Sequence, residues 1–445
     1  MLRLRHGALC RLIDGTASGW SWVARNVMST STFRPAERVR AAKPSIWVEF
    51  TTLAAECNAV NLGQGFPDEP MPMFMSEILR EVAAHPEKTA WHQYTRVEFL
   101  SGTYLTGSTL CGLYGRQINA NDEILVTVGA YLALYYAFMG LINHGDEVLI
   151  IDPAYDSYAP QVLMAGGVPV HCALSVSDQA KTSNDFRFDI GQMRAKCNNK
   201  AKMIVLNNPN NPTGKLFTRG ELEDIAQLAR DFNLIVVADE VYEWHVWNKE
   251  MIRFASLPGM YERTISIGSA GKAFSVTGWK LGWCIAPKHL MTPMRMMHQN
   301  CVFTCSTPTQ EAVATAFEKE LELIATNRSQ SYLLTGLPNE LRTKCERMYK
   351  MLHEGGFDPI MPDAGYFMIA RFGKIDGPFK VADSTGDPLD FRFVRWLCRE
   401  KKLATIPPSA FYSEENKSSN ADMIRLCLMK ADATMEAAHK ILKSL

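Results

Sequence analysis

From about residue 120, short β-branched runs alternate with amphipathic stretches, and this alternation restricts the possible folds more than any other feature of the chain. Glu123-Ile124-Leu125-Val126-Thr127-Val128 reads as a strand, after which Gly129-Ala130 opens a helix. Glu147–Ile151, Met203–Leu206, Leu234–Ala238 and Thr264–Gly268 repeat the strand pattern. Between the third and fourth of these five runs, Thr218 precedes Glu221 by three residues, the spacing of a capping box at a helix start. Strands apolar on both faces and separated by helices predict an α/β fold with a mostly parallel sheet in three layers. Such sheets bind ligands at the carboxyl ends of their strands. Beyond about residue 333 helical and strand signals mix, which predicts a smaller α+β domain.

Several unusual residue groups fall at those strand ends. Gly129-Ala130-Tyr131 follows a strand and begins a helix, so its backbone N–H groups are placed to hold a phosphate. Asn207-Asn208-Pro209-Asn210-Asn211-Pro212-Thr213-Gly214 follows another strand, and by itself has the composition of a surface turn. Asp239 ends a run of five apolar residues, where a carboxylate needs a cation or hydrogen bonds to stay charged. The run Ser269-Ala270-Gly271-Lys272-Ala273 sets a lysine among small residues just after a strand, and Lys280 follows in Gly278-Trp279-Lys280. An amine so placed can form a Schiff base with an aldehyde cofactor, while small neighbours admit a bulky planar ring. Lys280 and Ser269 then offer charge and a hydroxyl to a phosphate.

Composition excludes some classes. Acidic and basic residues balance at 47 each, so no bulk attraction to nucleic acid or an anionic membrane is expected. The longest apolar run, Tyr131–Ile142, is well short of the roughly 20 residues a membrane span needs. The 11 cysteines are scattered without zinc-knuckle spacing, which predicts no metal and a reduced intracellular compartment. Residues 1–34 carry Arg3, Arg5, Arg11, Arg25 and Arg34 against one acid, Asp14, with Ser and Thr at 29–32. That pattern reads as a mitochondrial transit peptide, hence a matrix protein. A disordered tail is the bland alternative, and Met28 offers a second start for a cytoplasmic form.

The set of motifs resembles the class I, fold-type I aminotransferases that use pyridoxal phosphate. Within them it is similar to the branch containing kynurenine aminotransferase and cysteine-conjugate β-lyase, also called glutamine transaminase K. The resemblance covers about residues 35–440 and keeps its motifs in order. Trp47-Val48-Glu49-Phe50, Asn61-Leu62-Gly63-Gln64-Gly65-Phe66-Pro67-Asp68 and Gln93-Tyr94-Thr95 come first. The groups described above follow, and Met423-Ile424-Arg425-Leu426 comes near the end.

The resemblance implies roles. Lys272 would hold the cofactor as a Schiff base and shuttle a proton, Asp239 would pair with the pyridine nitrogen, and Asn211 and Tyr242 would bond the ring's phenolic oxygen. Tyr155 would stack on the ring. Gly129, Ala130, Ser269 and Lys280 would hold the phosphate, with Tyr94 reaching over from a second subunit, which implies a homodimer with shared active sites. Arg425 would grip the substrate's α-carboxylate by two parallel hydrogen bonds, with help from Gly65. Read without the resemblance, it is equally an edge-strand charge. Trp47, Tyr131, Phe303 and Phe367 would line the side-chain pocket, suiting aromatic or bulky uncharged amino acids, with no second arginine placed for a dicarboxylate.

The implied reaction moves an amino group from kynurenine, glutamine or an aromatic or sulfur amino acid to a 2-oxo acid. A β-eliminating lyase and a cofactor-binding protein with impaired turnover are the alternatives. The implied organisation is an arm over 35–71, a large cofactor-binding domain over 72–333 and a small domain over 334–445. One segment departs from the family: residues 97–112 carry three glycines and few charges where an amphipathic helix is expected. This puts the adjoining dimer contact and site entrance in question.

Overall fold

The computed structural model describes residues 35–40, 45–95, 113–382, 386–417 and 421–445. The expectations for residues 1–34 and 97–112 lie outside them. The chain divides into two compact units, Met1–Lys43 and Pro44–Leu445. Of the first, one short helix, Glu37–Arg40, is described. All that follows concerns the second.

Its strands, in chain order, are β1 (Val60–Asn61), β2 (Ile124–Thr127), β3 (Glu147–Asp152), β4 (Val168–Ala173), β5 (Ala201–Asn207) and β6 (Ile235–Asp239). They continue with β7 (Thr264–Ser269), β8 (Gly282–Ile285), β9 (Asp358–Ile360), β10 (Phe367–Arg371), β11 (Leu403–Ala404) and β12 (Met423–Cys427). Seven form one sheet in the order β2-β8-β7-β6-β5-β3-β4. From β7 to β4 every pairing is parallel, while β8 is antiparallel to both its neighbours. Two antiparallel steps restore direction, so β2 points the same way as the parallel set. The carboxyl ends of β2, β3, β5, β6 and β7 therefore open onto one edge.

Every residue of β2 and β8 is buried, as are all but the first of β3 and β6, because helices cover both faces. The helices that matter for the site are α1 (Ile46–Glu56), α2 (Gly129–Leu141), α3 (Tyr158–Met164) and α4 (Arg219–Asp231). The apolar run at 131–142 lies almost wholly in α2, where Ala133, Leu134, Tyr136, Ala137 and Phe138 are core residues. The Thr218–Glu221 capping box forms in both directions at the start of α4. Among the described residues no helix is long and apolar enough to cross a membrane, and no cluster of metal-binding side chains occurs. In the C-terminal part, β12, β10 and β9 make a three-stranded antiparallel sheet. β1 pairs with β11 in parallel, tying residues 60–61 to 403–404.

Candidate active site

A cavity of about 380 Å³ opens at the shared strand edge. Lys272, Asp239, Tyr242, Gly129, Ala130, Tyr155, Asn211, Ser269 and Lys280, the expected cofactor and catalytic residues apart from Tyr94, all line it. So do Arg425, Gly65, Trp47, Tyr131 and Phe367 from the expected substrate set.

β7 ends on Ser269, and one tight helical turn, Ala270–Ala273, aims Lys272 inward. Its Nζ donates to the Gly65 carbonyl at 2.7 Å and lies 4.9 Å from the Tyr366 ring centroid. Burial pushes this amine down to about 8, and the positive Arg425 adds to the effect. Lys272 is therefore much richer in neutral amine near neutral pH than an ordinary lysine.

Asp239 closes β6, paired in register with Asn207 of β5. Tyr158 Oη donates to its Oδ2 at 2.5 Å and the Val241 amide to its Oδ1 at 3.4 Å. Burial raises its carboxyl to about 6, against the lowering effect of those two bonds and of Lys272. The acid thus lacks a full countercharge, and a cationic ring nitrogen would supply one.

At the opposite end, Gly129 opens α2 with φ +73°, a conformation glycine adopts without steric cost. This turns the first amides of α2 toward the cavity. The Lys280 side chain runs beside it: a Cβ on Gly129 would lie 3.7 Å from Lys280 Nζ. Exposed amides at a helix start, an ammonium and the Ser269 hydroxyl form an anion cradle. Amine, acid, cradle and the Tyr155 wall together fit a planar phosphorylated aldehyde.

Arg425 is wholly buried on β12, although β12 is an edge strand. The edge-charge reading fails because all five residues of this strand are covered. Nη1 donates to Asn211 Oδ1 at 3.0 Å and Nη2 to the Gly63 carbonyl at 2.6 Å. Phe367, Trp47 and Phe411 surround the guanidinium, with ring centroids at 4.1, 5.0 and 5.0 Å. Burial draws its pKa down to about 10. No carboxylate among the described residues pairs with it at ion-pair distance, so a cation stands ready for an incoming anion.

Two expected residues lie elsewhere. Tyr94 and Phe303 do not line the cavity; they pack edge-to-face on each other at 5.7 Å, 84% and 56% exposed. Two contributors were not anticipated. Tyr158 supplies the main hydrogen bond to Asp239, and Asn207 fixes the turn by donating to the Asp239 carbonyl at 2.9 Å and accepting from the Asn211 amide at 2.6 Å. Tyr158 opens α3 three residues after Tyr155, and that closeness to a residue of the motif was the available signal.

An open α/β sheet whose strand ends gather a depressed amine, a raised acid, an anion cradle and an unpaired guanidinium defines an enzyme class that handles amines on an anionic carrier. The model of the family "Aminotransferase class I and II" matches residues 58–443. Kynurenine–oxoglutarate transaminase 3 of Homo sapiens is 43% identical over 423 residues, covering 93% of this chain and 90% of that protein. Kynurenine–oxoglutarate transaminase 1 of Homo sapiens is 40% identical, over 89% of this chain and 94% of that one. Among solved structures, a putative kynurenine aminotransferase from Saccharomyces cerevisiae is 27% identical and superposes with a TM-score of 0.84, covering 93% of this chain and 99% of its own. An Escherichia coli protein with a methionine aminotransferase function gives 30% identity and 0.80, covering 93% and 100%. The chain belongs to the class I and II aminotransferase family. It is an enzyme that transfers amino groups, built on the fold-type I α/β architecture.

Proposed function

We propose that this enzyme is a pyridoxal-phosphate-dependent transaminase of the kynurenine–oxoglutarate type. The observation that carries the proposal is the unpaired, buried Arg425 sharing one cavity with Lys272 and Asp239. An α-carboxylate held by Arg425 leaves the substrate's α-carbon within the cavity that Lys272 lines. Trp47, Tyr131 and Phe367 give the donor's side chain aromatic walls, which suits kynurenine, and the two human relatives bear that substrate in their names.

When bound, pyridoxal phosphate supplies an aldehyde for the amine and a protonated ring nitrogen as electron sink. The chain does the rest. Lys272 Nζ, poised near neutral pH, would accept the proton leaving the substrate's α-carbon and release it to the cofactor's aldehyde carbon, on the far side of the transferred nitrogen. Asp239 keeps the ring nitrogen charged, and Tyr158 and Val241 hold that carboxyl in place. Amides of α2, with Ser269 and Lys280, would anchor the phosphate. A second copy of the chain would complete the site, with the exposed Tyr94–Phe303 pair on the shared face and Tyr94 available to hold the other subunit's phosphate.

The test is transamination of L-kynurenine with 2-oxoglutarate, followed by chromatography of the cyclised product. Arg425→Lys keeps the charge but loses the fork, and is expected to lower kcat/KM by about 100-fold. Lys272→Ala is expected to abolish turnover. Unchanged kcat/KM in Arg425→Lys would contradict the anchor role.

A further inference from the structure

Asp156 stands next to Tyr155 in the loop leaving β3, and the reaction as described makes no use of it. Its carboxylate accepts two hydrogen bonds from the start of α1, more than a hundred residues away in the chain. Ser45 Oγ donates to Oδ2 at 2.9 Å and Trp47 Nε1 to Oδ1 at 3.1 Å. Ser45 is also the N-cap of α1, where its hydroxyl oxygen accepts from the Trp47 amide at 3.4 Å. One carboxylate therefore fixes the first turn of the helix and the angle of the indole at once.

That indole is a wall of the carboxylate subsite. Its ring lies 5.0 Å from the Arg425 guanidinium and packs edge-to-face on Phe411 at 6.3 Å. Farther along, α1 is held by its buried Phe50, Leu53 and Ala54, while Glu49 at the end of its first turn pairs with Arg395 at 2.7 Å. Ile46 and Trp47 also rest on the core, and the bonds to Asp156 are the side-chain hydrogen bonds that join this turn to the loop leaving β3.

We infer that Asp156 is a positioning residue, a latch that holds Trp47 over Arg425 and so keeps the α-carboxylate subsite closed and dry. A guanidinium screened from water binds a carboxylate more tightly than an open one. Amino donor and 2-oxo acid both present that carboxylate, so the latch acts on both half-reactions alike. It touches neither the reacting carbon nor the proton, and its effect falls on binding. The kinetic side of this inference rests on the transaminase reading above; the backbone side does not.

The test compares wild type, Asp156→Ala, Asp156→Asn, Trp47→Phe and the Asp156→Ala/Trp47→Phe double variant. Readouts are steady-state kinetics and hydrogen exchange of the amides in 46–56. Asp156→Ala is expected to raise KM for L-kynurenine and for 2-oxoglutarate by about tenfold each, the worth of a charge-accepted hydrogen bond, with kcat changed less than about twofold. Protection of the first turn of α1 falls, while that of its second half stays. Asp156→Asn, whose amide oxygen still accepts one bond, lies between. The double variant is no worse than the more impaired single variant, because both remove the same contact. Unchanged KM and protection in Asp156→Ala, or full additivity in the double variant, would overturn the latch. Should wild type fail to transaminate kynurenine, the functional reading falls instead, and exchange in α1 still decides the latch.

Discussion

Asp239 shows how one residue sets chemistry against stability. Its carboxyl is buried and raised from 3.8 to about 6, so the folded chain resists ionising it more than the unfolded chain does. Well below pH 4 both states hold the proton and the residue costs nothing. As pH rises from about 4 to 6 only the unfolded state releases it, and stability falls by about 3 kcal/mol before levelling off. Cofactor-free Asp239→Asn lacks this loss. Its melting temperature should match wild type near pH 4, exceed it increasingly up to pH 6, and stay above it by a constant margin beyond. Pyridoxal phosphate should bind this variant more weakly. A melting difference that does not vary between pH 4 and 7 would contradict the raised acid. Asp239 was legible in the sequence because a charge closes an apolar run. Its partner Tyr158 was less so: its closeness to Tyr155 hinted at the site, but nothing in the sequence marks the strand end it faces.

At the scale of elements, the carboxyl-end rule located the site because every expected strand formed within one or two residues of its expected bounds. In the seven-stranded sheet, β4 and β8 were the strands left unread. β4 contains Pro169, which weakens a strand signal, and β8 is four residues opening on glycine. The reason for that glycine is visible only in three dimensions: a Cβ on Gly282 would meet the Ala130 amide nitrogen at 2.5 Å. β8 thus presses on the start of α2, at the anion cradle. Gly282→Ala should displace that turn and weaken pyridoxal phosphate affinity about tenfold or more, measured by equilibrium dialysis, while the helical circular dichroism stays near wild type. Unaltered affinity would show that β8 does not set the cradle.

Over the whole molecule, one cavity collects residues from Trp47 to Arg425, nearly the span of the chain, so no local window of sequence contains the site. What made it readable was the order of many motifs at strand ends; what hid Asp156 was that its importance lies in a contact with α1. Tyr94 and Phe303 make the same point, since their aromatic faces find no place in the cavity of their own chain. Amino-group transfer by this protein thus depends on a single cavity. The most direct test is the visible absorption spectrum of protein loaded with pyridoxal phosphate, before and after L-kynurenine is added without any oxo acid. The long-wavelength band is expected to disappear and to return when 2-oxoglutarate follows, with neither change in Lys272→Ala. A wild-type band that stays fixed with every amino acid offered, or never forms on loading, would contradict it.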